Sequence, residues 1–170
     1  MSKVAIIADI ASATSRINGV IDQINGALQE KGVEATVLNV RALPPEDLVY
    51  LKFDSPAIAS ANAAVEGADA VIVVTPVYKA AYTGILKAYL DLLPQKALVG
   101  KTILPVALGG TMAHMLILDY ALKPVLAALG ATNQLQGVFV LDSQVAREAD
   151  GSMQVADEAA ERLNAVVRQL

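Results

Sequence analysis

The segment Ala70-Val71-Ile72-Val73-Val74 is aliphatic throughout, with no polar residue breaking the run. A strand with one face in water alternates apolar and polar side chains. A run without alternation suits a strand covered on both faces. Four further short β-rich runs occur at Val4–Ala8, Ala35–Val40, Thr102–Leu108 and Val138–Leu141. Helical patterns separate them at Ser15–Lys31, Ser55–Glu66, Tyr82–Leu92 and Met112–Leu129, and a last one covers roughly Ala156–Leu170. Strand and helix in strict turn predict an α/β chain, one parallel sheet with helices on both faces. The residues are 55% hydrophobic but only 4% aromatic, so the core must be built of Ala, Val, Leu and Ile. Gly32 and Gly67 follow helical patterns and read as C-terminal caps. Residues 1–170 are expected to form a single domain.

Several function classes are disfavoured at once. There are 13 basic and 17 acidic residues, a net charge of −4, so no nucleic acid partner is expected. With no cysteine, and His114 as the one histidine, neither a disulfide nor a transition-metal site is expected. The longest uncharged stretches, Thr102–Leu118 and Pro124–Leu141, contain Pro, Gly and polar residues and do not read as membrane spans. The first apolar run is too short for a signal peptide and ends at Asp9, which makes the cytoplasm the expected location.

In an open parallel sheet, ligands bind beyond the carboxyl ends of the strands. Four segments fall there: Asp9–Arg16, Asn39–Asp47, Pro76–Gly84 and Gly109–His114. In the first, Ser12, Thr14, Ser15 and Arg16 surround a helix start, a combination that holds a phosphate monoester or simply caps a helix beside a solvated arginine. Neither a G-x-G-x-x-G nor a P-loop pattern is present. In the next strand-end turn, Pro76 lacks an N–H, leaving those of Val77 and Tyr78 to face a ligand. Tyr78 and Tyr82 suit a flat ring, or are surface tyrosines at a helix start. Gly109 and Gly110, before Thr111, permit close backbone approach to a ligand. His114 reads as a hydrogen-bonding residue rather than a catalyst, and no Gly-x-Ser-x-Gly elbow occurs. Such sparse acid–base equipment fits hydride transfer, where cofactors carry the chemistry. The pattern Met112–Leu129 is apolar around most of its circumference, so a subunit partner is expected to cover it, with Pro124 bending it.

The blocks Phe53-Asp54-Ser55-Pro56-Ala57, Thr75-Pro76-Val77-Tyr78-Lys79-Ala80-Ala81-Tyr82-Thr83-Gly84 and Leu90-Asp91-Leu92-Leu93-Pro94 closely resemble the NAD(P)H-dependent FMN reductases. So do Gly109-Gly110-Thr111-Met112-Ala113-His114, Asp119-Tyr120-Ala121-Leu122-Lys123-Pro124-Val125-Leu126, and the stretch from Gly137-Val138-Phe139 through Asp142-Ser143-Gln144-Val145. The nearest subgroup is the reductase of two-component alkanesulfonate monooxygenase systems, and the likeness runs from about Pro45 to Val145. It implies a flavodoxin-like three-layer sandwich with a five-stranded parallel sheet of order 2-1-3-4-5. It further implies a homodimer or homotetramer that reduces FMN with NADPH or NADH and releases reduced flavin to a flavin-dependent monooxygenase. The resemblance assigns the phosphate to Ser12, Ser15 and Arg16, and the flavin turn to Pro76, Val77, Tyr78 and Lys79. It assigns the glycine turn to Gly109, Gly110 and Thr111, and a subunit contact to Tyr120. On this resemblance, hydride is expected to pass from nicotinamide to flavin without a side-chain acid or base.

One departure stands out. The family opens its phosphate loop with Gly-Ser-Pro, whereas this chain has Asp9-Ile10-Ala11. Like charges a few ångströms apart cost on the order of 1–4 kcal/mol at intermediate dielectric. Asp9 is therefore expected either to pair with Arg16 or to turn away. Alternatives to the reductase reading are a quinone or azo reductase with permanently bound FMN, a non-catalytic flavin or electron carrier, and a chain whose altered loop no longer binds phosphate.

Overall fold

The strand β3 (Ala70–Pro76) lies at the middle of the sheet, and its side chains are buried on both faces through Thr75. In the computed structural model, which describes residues 2–170, it pairs in parallel with β1 (Lys3–Ala8) and β4 (Thr102–Gly109). With β2 (Glu34–Asn39) outside β1 and β5 (Asn133–Gln134) outside β4, the order is β2-β1-β3-β4-β5, the flavodoxin-like order that the resemblance implies. Val71 and Val73 pack towards α3 (Pro56–Glu66) and α4 (Gly84–Leu90). Ile72 and Val74 pack towards α1 (Ile17–Glu30) and α6 (Asp157–Val167). Each such side chain contributes roughly 1.5–3 kcal/mol on full burial, and neither face alone accounts for the uninterrupted aliphatic run.

The fifth strand position is broken in two. β5 (Asn133–Gln134) and β6 (Val138–Leu141) both pair with β4. Between the pairs Ile103–Gln134 and Val106–Val138, Leu104 and Pro105 face the longer stretch Leu135–Gly137. Ile103 still receives the Leu135 N–H at 2.8 Å. Pro105, two residues on and on the same side of the ladder, has no N–H to give, so pairing lapses and the edge bulges. Gly137 fills the gap because a Cβ there would stand 3.0 Å from the Pro105 carbonyl oxygen.

The Met112–Leu129 segment is not one helix. It comprises a 3-10 turn at Met112–His114, a π-turn at Leu118–Leu122 and α5 (Lys123–Ala128). Pro124 is responsible: its ring clashes with the carbonyl four residues back in regular α geometry. The π-turn relieves this, its Lys123 N–H reaching back to the Leu118 carbonyl. Ile117, Leu118, Leu122 and Leu126 are buried, whereas Met112, Met115, Leu116 and Tyr120 are exposed. Elements not anticipated include the short β5, α2 (Pro45–Val49) and the hairpin of β7 (Val145–Arg147) with β8 (Met153–Val155). Gly32 ends α1 in the left-handed region, at φ +68°, as expected of a cap. Gly67 also ends a helix but at φ −74°, so its position makes no special demand.

Two glycines of α1 should respond oppositely to alanine. At Gly26 nothing lies within 4 Å of an added Cβ, so Gly26→Ala should stabilise by about 0.5–1 kcal/mol through helix propensity. At Gly19 a Cβ would stand 2.7 Å from Met153 Cβ and 2.9 Å from its carbonyl oxygen. Gly19→Ala should destabilise by roughly 1–3 kcal/mol, as overpacking does. Urea denaturation of the two variants checks both signs.

Candidate functional site

The carboxyl ends of the central strands come level at one edge. Ala8 stands beside Val74, Pro76 beside Leu108, and Gly109 beside Leu141. The chain leaves β1 for β2 on one side and later returns to β3 on the other, so the switch point opens between β1 and β3. The first loop, the strand-end turn and the glycine turn all border it.

The first loop is a run of turns, not a simple cap. Ser15 donates its N–H to the Ser12 carbonyl at 3.1 Å, and α1 begins after Arg16, whose own side chain caps nothing. Among the described residues, the N–H groups of Ser12, Ala13, Thr14, Arg16 and Ile17 find no protein acceptor. Ser12 and Thr14 present hydroxyls 3.2 Å apart, and both residues are exposed. Asn18 holds this shape from one turn inside the helix: its side-chain amide donates to the Ser12 and Ala13 carbonyls at 3.0 and 3.1 Å. With these carbonyls turned away, the free N–H groups, hydroxyls and Arg16 form a donor set that fits a phosphomonoester. Arg16 is partly committed, since its Nε donates to the Val145 carbonyl at 3.1 Å.

Asp9 does not meet Arg16. Its carboxylate is wholly buried and ion-paired with Arg41, which donates from Nε and, at 3.3 Å, from Nη2. Asn39 ties the two loops together beside this pair. Its Oδ1 accepts the Ile10 and Arg41 N–H groups at 3.2 and 3.1 Å, and its Nδ2 donates to the Ile10 carbonyl at 3.3 Å.

The turn after β3 differs from the expectation in its donors. The Val77 N–H is used by the Leu108 carbonyl at 2.8 Å, and the Tyr78 N–H by the Ala81 carbonyl at 3.0 Å. Tyr78 and Ala81 close a two-residue turn with Lys79 and Ala80 at φ +51° and +61°, the left-handed region that non-glycine residues enter at a cost of about 1 kcal/mol or more each. The outward N–H groups are thus those of Lys79 and Ala80. Thr75 anchors the base of the turn, its buried hydroxyl donating to the Pro76 carbonyl at 2.9 Å and accepting the Thr83 N–H at 3.4 Å. Thr83 in turn caps α4 by accepting the Leu86 N–H at 3.3 Å. Tyr78 is 52% exposed above the strand ends, and Tyr82 is half-buried behind it.

Packing beneath the turn already requires a glycine at position 109. A Cβ there would meet Phe139 at 2.8 Å and Val77 at 3.0 Å. Gly110 and Thr111 remain exposed at the rim, and Thr111 accepts the Ala113 N–H at 3.3 Å. Nearby, Asp47 accepts the Ser55 hydroxyl at 2.6 Å and pairs with Lys52 at 3.1 Å. The serine bond and then the lysine hold its carboxyl below the usual aspartate value. This fastening presents Val49, Tyr50, Leu51 and Phe53 as an exposed apolar strip beside the rim.

Comparison with known proteins identifies relatives over most of the chain. The family model for NADPH-dependent FMN reductase matches residues 2–146. An FMN reductase (NADPH) of Pseudomonas putida is 48% identical over 154 residues, 90% of this chain and 78% of that one. An Escherichia coli protein of the same description is 52% identical over 131 residues, 77% of this chain and 69% of that one. The apo crystal structure of an NADH:FMN oxidoreductase, EmoB, superposes with a TM-score of 0.87 at 34% identity, covering 99% of this chain and 88% of that chain.

Asn18→Ala should release the Ser12 and Ala13 carbonyls into the cradle. Titration should show several-fold weaker FMN binding with riboflavin little changed, while global stability falls by only about 0.5–1.5 kcal/mol, as for an ordinary side-chain hydrogen bond.

Proposed function

The chain belongs to the NADPH-dependent FMN reductase family, and on that premise we propose that residues 1–170 act as one flavin-binding unit that oxidises NADPH or NADH and reduces FMN. The observation carrying this reading is the unpaired donor cradle at Ser12–Ile17, set at the switch point beside the aromatic Tyr78 turn. FMN supplies the hydride-accepting ring, so no protein acid or base is required. Ser12, Ser15 and Arg16 would bind its phosphate. The Pro76–Lys79 turn would position the ring edge through the outward Lys79 N–H, with Tyr78 shielding a ring face from water. Gly110 and Thr111 would border the opposite side, with Gly109 shaping the turn beneath them.

We take flavin as a substrate that comes and goes, with reduced FMN passing to a flavin-dependent monooxygenase, a reading supported by membership of the FMN reductase family. The purified protein is then colourless and consumes NADPH or NADH only when FMN is added. A stoichiometric yellow protein active without added FMN would favour a bound-flavin quinone or azo reductase. Arg16→Ala should weaken FMN binding about tenfold, the scale of one charge-assisted hydrogen bond, and leave riboflavin nearly unchanged.

We also infer a homodimer or homotetramer. Met112, Met115, Leu116 and the 78%-exposed Tyr120 form an apolar surface on the 3-10 and π-turn segment, and burial of such side chains is a main source of association energy. Sedimentation at micromolar concentration should give at least a dimer. A clean, active monomer would refute the assembly.

A further inference from the structure

We propose that Arg41 determines specificity at the phosphate loop by cancelling the buried charge of Asp9, so that the loop accepts the phosphomonoester of FMN; this rests on the flavin reading above. Asp9 is the first residue past β1, its N–H still held by the Val74 carbonyl at 3.1 Å. It continues the alternation of Ala5 and Ile7, which face the α3–α4 side of the sheet. Its carboxylate is fully shielded from solvent and sits directly before the loop whose free N–H groups await an anion. A bare carboxylate there would repel a dianion through a poorly screened interior.

Arg41 removes that obstacle. The turn after β2 delivers it, and the Asn39 side chain, bonded to both Arg41 and Ile10, fixes the turn against the loop. Its guanidinium takes both carboxylate oxygens of Asp9. Among the described residues it is the one cation paired with Asp9, since Arg16 is engaged by the Val145 carbonyl. The Arg41 side chain stays 34% exposed and its Nη1 has no partner among the described residues, leaving one face of the cation towards solvent. A scaffolding role would affect every flavin alike. A charge role distinguishes FMN from riboflavin, which shares the ring and ribityl chain but lacks the phosphate.

The test is a set of dissociation constants for FMN and riboflavin, measured by flavin fluorescence on the wild type, Arg41→Gln, Asp9→Asn and the double variant. Arg41→Gln should weaken FMN about tenfold or more while riboflavin shifts less than about twofold, the signature of one uncompensated charge. Asp9→Asn should tighten FMN only, and the double variant should return FMN to near its wild-type value. If Arg41→Gln does not fold, the other two variants, which contain no unpaired buried carboxylate, decide. FMN tightening in Asp9→Asn with near-wild-type affinity in the double variant supports the proposal. An unchanged or weaker FMN affinity in Asp9→Asn, or equal shifts for both ligands in either single variant, overturns it while the flavin reading stands. A wild-type protein that binds neither flavin overturns both together.

Discussion

Backbone pairing among β1, β3 and β4 supports everything else, because these strands leave almost no polar side chain in the interior to compete with it. Along Val4–Ala8, Ala70–Val74 and Ile103–Leu108 the side chains are aliphatic, apart from the ring of Pro105. Buried peptide groups must be paired, and here the ladder is the available partner. The first polar side chains beyond the aliphatic runs of β1 and β3 are Asp9 and Thr75, both buried. Chemistry is thereby confined to the carboxyl edge of the sheet, and each of these two residues fastens a loop instead of facing a ligand.

The rim is held by side chains reaching back to the backbone of neighbouring segments. Asn18 gathers the carbonyls of the first loop, Asn39 joins that loop to the turn after β2, and Thr75 joins the end of β3 to the start of α4 through Thr83. These bonds are individually modest, on the order of 1 kcal/mol. Their combined effect is geometric: unpaired N–H groups remain outward at Ser12–Thr14 and at Lys79–Ala80, where an anion and a ring edge can use them. The left-handed conformations of Lys79 and Ala80 are strain of the sort that persists only when surrounding contacts impose it.

Two prolines account for the irregular half of the molecule. Pro105 withholds a ladder donor and splits the edge strand, and Pro124 forces the π-turn that exposes Tyr120. Pro105 acts by withholding an N–H from the ladder, and Pro124 also by crowding the carbonyl behind it in a helix.

Hydrophobic periodicity in the sequence was enough to determine β1 to β4 and β6, the double burial of the central strands and most of the helices, since those patterns record the faces each element must cover. The phosphate-loop donors and the tyrosine turn were legible as residue types at strand ends. Signals for α2 were also present, with Pro45 followed by Glu46 and Asp47, as was the Asp150-Gly151 turn of the β7–β8 hairpin. Only the tertiary structure decided which partner each polar group takes. Asp9 is 32 residues from Arg41, and that pairing exists because parallel β1 and β2 end side by side. The space that a Cβ on Gly109 would take is filled by Phe139 and Val77, residues from two other segments. Met112–Leu129 read as one apolar helix because periodicity counts faces and cannot weigh a single proline ring against the carbonyl behind it. Local patterns depend on neighbours in the chain, whereas charges, cavities and close contacts depend on neighbours in space.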